Sequence, residues 1–274
     1  MLLRLPVRIA RAAFLTFVGL ACLGPVVWVV LSSFKTQAQV FGAGNLIPAP
    51  FSLSGYRSLF TEIPLVHYLL NTLLYAGGGT VGALSVGLLA AYPAARMRFP
   101  FRRSLTVLFT VALAIPITGL IVPEFVIMRD LRLFDSQFGL VLFYSAMWFP
   151  LTFVILRAQL TGLPPSIEEA AALDGASYFQ LLRRVILPLA RPGLATAGVL
   201  VFINIWNDFL FNLLLAPSTA HQNVQVSLTL FRGQFRTDIT AILAGTTVMM
   251  VIPVLTFVVL QRQVIAGLTA GASR

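Results

Sequence analysis

What most constrains this chain is that its apolar residues fall in runs of eighteen or more without a charge, repeated along its length. Such runs cross the hydrocarbon of a bilayer as helices, because a helix satisfies its own backbone groups where no water can. The composition agrees: of 274 residues, 58% are hydrophobic and 10% charged, too apolar for a soluble domain. About six spans are expected, near residues 12–33, 66–95, 105–128, 138–156, 193–216 and 241–260. Pro25 should kink the first and Pro93 bend the second near its end, while Pro116 and Pro123 should interrupt the third. In the second, Gly79, Ala83, Gly87 and Ala91 recur every fourth position, which lets helix backbones approach closely. The first run follows Arg4, Arg8 and Arg11, as in a signal peptide, but it is longer than a usual apolar core of one and reads as an uncleaved anchor.

The net charge of +10 would suggest nucleic acid for a soluble protein, but here placement decides. Thirteen of the 19 basic residues (Arg4, Arg8, Arg11, Arg96, Arg98, Arg102, Arg103, Arg157, Arg183, Arg184, Arg191, Arg262 and Arg274) fall on one side of the six spans. Six fall on the other: Lys35, Arg57, Arg129, Arg132, Arg232 and Arg236. The positive-inside rule then puts both termini, and the segment between the fourth and fifth spans, in the cytoplasm, with no nucleic-acid partner.

That segment is a polar island in an apolar chain. Ser166 with Glu169 reads as a capping box, Ala170, Ala171, Ala172 and Leu173 as helix, and Asp174-Gly175 as a left-handed stop. Ser177 with Gln180 repeats the capping box, Arg183 and Arg184 suit a helix C-terminus, and Pro188 should force a break. Two short helices hinged at a glycine make a protrusion that spanning a bilayer does not require.

The chemistry of catalysis is missing. There is no Gly-rich P-loop, and the only lysine, Lys35, lies on the outer side, so the chain is not its own ATP-driven motor. The single Cys22 and the two histidines, His67 and His221, make no disulfide framework, metal cluster or nucleophilic triad.

With these features in hand, the chain resembles a permease subunit of a binding-protein-dependent ABC importer. Glu169-Ala170-Ala171, Gly175 and Val185-Ile-Leu187-Pro188 fit that family's signature, Glu-Ala-Ala, three residues, Gly, nine residues, Ile-x-Leu-Pro, with valine at its first aliphatic position. Asn71-Thr-Leu, Ala90-Ala-Tyr92, Trp206-Asn-Asp-Phe209, Gln261-Arg262 and Gly267-Leu-Thr-Ala-Gly271 are similar to its carbohydrate branch, the maltose-permease G type. Pro93, and Asp208 where many relatives have glutamate, are departures from its pattern.

The resemblance implies an all-α membrane protein with the type I importer permease fold. It would form a single domain over residues 1–274, with its core at about 66–262, a coupling loop at 159–192 and a cytoplasmic tail at 261–274. It also implies two cytoplasmic ABC ATPase subunits that hold ATP and Mg, a second permease subunit and an extracytoplasmic solute-binding protein. The residues that couple to the ATPase would be Glu169, Ala170, Ala171, Asp174, Gly175, Leu187 and Pro188, with Gly267–Gly271 as a second contact.

Two stripes stand as a candidate solute path. Asn204, Asp208 and Asn212 are spaced by four, and so are His67, Asn71 and Tyr75. Asp208 would lie ~22 Å into span five, where a lone carboxylate is costly. Tyr75 or Trp206 could stack on a sugar ring; helix–helix hydrogen bonding is the equal alternative. Glu124, ~28 Å along span three, reads as solvated at the outer interface. Residues 217–240, with Phe231–Arg236, are a candidate docking loop or a plain solvated one. The expected cargo is a sugar or polyol, with glycerol-phosphate-type or amino-sugar solutes as alternatives. A proton-coupled secondary transporter and a non-transporting scaffold are the rivals, and no internal repeat of the transporter kind is visible.

Overall fold

The computed structural model describes the backbone of residues 4–42, 45–233 and 237–272, with side chains between residues 9 and 262 of those stretches. The patch at Phe231–Arg236 thus falls partly outside the described residues, as do the side chains of Gly267–Gly271. Among the described residues, regular structure is helical, apart from an isolated bridge between Arg232 and Thr237.

In order, the helices are α1 (Arg4–Ser32), α2 (Gln37–Phe41), α3 (Ser54–Glu62), α4 (Leu65–Arg96) and α5 (Arg102–Ala112). A 3-10 turn, Ile117–Leu120, leads into α6 (Ile121–Asp130), and α7 (Gln137–Thr161) follows. The island holds α8 (Ser166–Leu173), α9 (Tyr178–Leu181), a π-turn at Leu182–Ile186 and α10 (Leu187–Leu189). Then come α11 (Arg191–Trp206), α12 (Leu210–Leu215), α13 (Val224–Ser227) and α14 (Ile239–Ala272).

Four stretches, Ile9–Ser32, Leu65–Arg96, Gln137–Thr161 and Ile239–Arg262, are long and apolar enough to cross a membrane. Two bent pairs raise the number to at most six, if each is one span: Arg102–Ala112 with Ile117–Asp130, bent by 100°, and Tyr178–Leu189 with Arg191–Trp206, bent by 69°.

Two of the prolines, Pro123 and Pro188, act differently from expectation. Pro116 does stand at the break between α5 and α6, but Pro123 sits in the first turn of α6, where a missing N–H leaves no bond unmade. Span two runs through Pro93 to Arg96 as one helix, and the Met97 N–H reaches back to the Pro93 carbonyl at 2.8 Å. Pro188 does not break the chain at its own position. The π-turn before it lets Leu187 N–H bond Leu182, so the proline enters a first helical turn and the direction changes at Ala190 instead.

The larger correction concerns span five, which is not continuous. Helix α11 stops at Trp206, Asn207–Phe209 are not helical, and α12 starts afresh at Leu210. The Asp208 carboxylate accepts the Asn212 N–H at 3.0 Å and the Phe211 N–H at 3.4 Å. Asp and Asn favour such capping over a helix interior, and here that preference wins against hydropathy.

The chain forms two compact units, one of residues 1–65 and 228–251 and one of 66–227 and 252–274. Within the first, Gly55 lies so close to the Thr240 backbone that a Cβ would collide with it. Asp238 caps the start of α14 there, accepting the Ala241 N–H at 2.9 Å. The second unit is built on the small-residue stripe of α4. Gly79 packs on Tyr144 and Gly87 on Thr152, both of α7, while the Thr152 hydroxyl donates to the Ala83 carbonyl at 2.9 Å. One buried cluster gathers Tyr144, Val201, Ile205 and Trp206; another joins Ala91, Tyr92, Phe153, Leu156, Ile186 and Ala190. The second cluster is what seats the island.

Candidate functional site

The island folds into two short helices, as expected, but its first cap differs. Pro165 has helical dihedrals, φ −59° and ψ −31°, and its carbonyl accepts the Glu168 and Glu169 N–H groups. Ser166 is therefore already inside α8 and makes no side-chain cap; proline suits a first turn, and here it moves the start by one residue. The end of α8 is a Schellman motif. Ala176 N–H bonds the Ala171 carbonyl and Gly175 N–H that of Ala172, both at 3.0 Å, with Gly175 at φ +75°. The second capping box is present: Gln180 N–H reaches the Ser177 hydroxyl, and Ser177 N–H the Gln180 side chain.

Of the residues expected to couple to an ATPase, Glu169, Ala170, Asp174, Gly175 and Leu187 are exposed, and Ala171 and Pro188 half-buried. Exposed large apolar groups stand beside them: Leu173 is 90% exposed and Phe179 67%.

The anchor of the island went unseen in the sequence. Glu168, not Glu169, faces inward: its Oε1 lies 2.8 Å from Arg96 Nε, and its Oε2 accepts the Tyr92 hydroxyl at 3.2 Å. Arg96 also donates to the Leu163 carbonyl at 2.7 Å. Helical spacing could have put Tyr92 and Arg96 on one face, but nothing local tied that face to Glu168. Behind the island, the Gln159 side chain donates to the Leu189 carbonyl, and Gly193 leaves room for that side chain.

The expected solute-path residues are gathered elsewhere in the second unit, around the 217–223 loop. Asn71 donates to the Ala220 and Gln222 carbonyls, both at 2.9 Å, and accepts from Gln137 at 2.8 Å. The Tyr75 hydroxyl donates to the His221 carbonyl at 2.8 Å, and His67 contacts the Ala220 carbonyl at the same distance. Asn212, fully buried, accepts the Asn223 N–H at 2.7 Å.

Asp208 holds Tyr144, whose hydroxyl donates to it at 2.7 Å, while the Asn223 side chain donates to the Asp208 carbonyl at 2.6 Å. Trp206 is fully buried, so its ring presents no face for stacking. Asn204 is exposed and bonds within its own helix to Leu200, so the break removes it from the expected stripe. Thus Asn71, Tyr75, Asp208 and Asn212 meet in one network that pins a loop, and Asn204 and Trp206 stand apart from it. Tyr144 and Asn223 belong to this network and carried no local signal.

Asp135 completes it from the turn before α7. Its Oδ1 accepts the Ser218 hydroxyl at 2.8 Å and lies 3.1 Å from His221 Nδ1. Burial opposes the Asp135 charge, but the hydrogen bonds from Ser218 and His221 outweigh it and hold the carboxyl below its usual value. Glu124 departs from the solvated reading: it lines an apolar cavity of about 420 Å³ with Ile117, Leu120, Met128, Phe143 and Met147, and its Oε2 is buried.

Known proteins are similar throughout. The profile of the binding-protein-dependent transport system inner membrane component family matches residues 83–268. The trehalose transport system permease SugB of Mycobacterium tuberculosis is 38% identical, over 93% of each chain. The sulfoquinovosyl glycerol transport system permease SmoH of Agrobacterium fabrum is 32% identical, over 97% of this chain and 93% of its own. A chain of a bacterial ABC transporter that imports the acidic polysaccharide alginate superposes with a TM-score of 0.82, at 24% identity over 93% of this chain and 95% of that one. By profile, sequence and fold, this chain belongs to the family of binding-protein-dependent transport system inner membrane components, the permease subunits of ABC importers.

Proposed function

We propose that the chain carries a sugar, glycoside or related polyol inward across the cytoplasmic membrane, driven by two ABC ATPase subunits that supply ATP and Mg, beside a second permease subunit. The observation that carries the reading is the island: two capped helices, stopped at Gly175, with Leu173 and Phe179 held outward. Exposed Glu169 and Asp174 give that surface charge for basic groups of a groove. A short helix seated in a cleft moves with its partner as a rigid body, which turns closure of the ATPases into motion of the spans. The arginine asymmetry supports both termini and the island in the cytoplasm. A solute-binding protein then meets the opposite side, where the pinned 217–223 loop would lie. Trehalose, sulfoquinovosyl glycerol and diacetylchitobiose in the names of relatives support a glycoside cargo. Residues 1–274 act in this reading as one permease domain, with residues 261–274 as a second contact for the ATPase.

The test is co-expression with candidate ATPase, partner permease and binding-protein subunits from the same organism, followed by affinity purification and uptake of labelled disaccharides into proteoliposomes. A stable complex and uptake that requires ATP are expected. Proton-driven uptake by this chain alone would favour a secondary transporter, and a complex with no ATPase would overturn the importer.

A further inference from the structure

Both arms of the island converge on the last turn of α4. From α8, Glu168 reaches Arg96 at 2.8 Å and Tyr92 at 3.2 Å. From the start of α9, the Tyr178 ring lies against that of Tyr92 with centroids 5.8 Å apart. Tyr92 and Arg96 are four residues apart and so share one face of α4. The ion pair is well shielded, with side-chain exposures of 11% for Arg96 and 21% for Glu168. The same turn is braced by Arg102, which donates to the carbonyls of Ala94, Ala95 and Met97. At the other end of α4, His67, Asn71 and Tyr75 hold the 217–223 loop.

We propose that Arg96 and Glu168 are positioning residues that transmit displacement of the island to α4, with Tyr92 and Tyr178 as the hinge contact beside them. The proposal rests on the coupling role of the island. A helix is stiff along its axis, and α4 has 32 residues, about 48 Å at 1.5 Å each. Force applied at Arg96 is therefore felt at Asn71 and Tyr75. A shielded charge pair suits such a joint, because it resists separation and leaves an unpaired charge when either partner is lost.

The test uses the complete complex in proteoliposomes and reads solute imported per ATP hydrolysed, beside the amount of complex assembled. R96Q and E168Q should each lower that ratio by about fivefold or more, the lower end of ordinary coupling between sites, while ATP hydrolysis persists. The swapped pair R96E/E168R should regain most of it, and Y92F should cost less than either single charge variant. A swap no better than the single variants, or single variants with an unchanged ratio, would overturn the proposal. So would single variants that lose only assembly, since that describes a structural brace and not a transmitter. Failure of the coupling role itself looks different: the ATPase then fails to co-purify even with the unaltered chain.

Discussion

Gly175 holds φ +75° with no heavy atom within 4 Å of where a Cβ would stand. A side chain there would strain the backbone by about 1–2 kcal/mol without meeting a neighbour, so a substitution should perturb the island and spare the spans. Gly87 is the opposite case, with Thr152 packed where its Cβ would go. Gly87→Leu should lower stability by about 1–3 kcal/mol through overpacking, read as a lower thermal midpoint of the purified protein in detergent; an unchanged midpoint would refute the close α4–α7 approach. Asp208→Ala should cost about 1–3 kcal/mol, because α12 loses its cap and the Tyr144 hydroxyl its acceptor. Asp208→Asn keeps an accepting oxygen and should cost clearly less; equal losses for the two variants would show that the carboxylate works by charge alone.

At the scale of elements, hydropathy located the four long apolar helices because the length of an apolar run is a local property. The stop at Gly175 and the Ser177–Gln180 cap were legible for the same reason, since each is written within four residues. The cap expected at Ser166 is displaced by Pro165, whose fixed φ already suits a helix. The break at Asn207–Phe209 was hidden because the run looks continuous. Only Tyr144 and Asn223, distant in sequence, reveal why Asp208 turns aside to cap α12.

The 217–223 loop is likewise tied down by residues far away in the chain, Asp135 foremost. Its carboxyl titrates below its usual value when folded, so its stabilising contribution is complete above the ordinary carboxylate range and fades as pH falls through the lower folded value. The difference in thermal midpoint between the native chain and D135N should then shrink as pH falls from about 5 into stronger acid. A difference that stays flat or grows below about pH 5 would contradict that role.

For the whole molecule, charge asymmetry and the absence of a P-loop point to a subunit driven from outside the chain, and the family it belongs to is one of inner membrane transport components. The contact between Glu168 and Arg96 was not legible, because the two meet only once α4 and the island have packed. Cargo is the least local property, because in the proposed assembly it depends on surfaces formed with a second permease subunit. The central claim is that Glu169–Pro188 converts ATP hydrolysis into transport, and its most direct measurement is ATP-driven uptake by the reconstituted complex carrying Gly175→Trp. Normal assembly, continued ATP hydrolysis and uptake lowered about tenfold or more are the predicted result. Uptake at the native rate from an intact complex would contradict it.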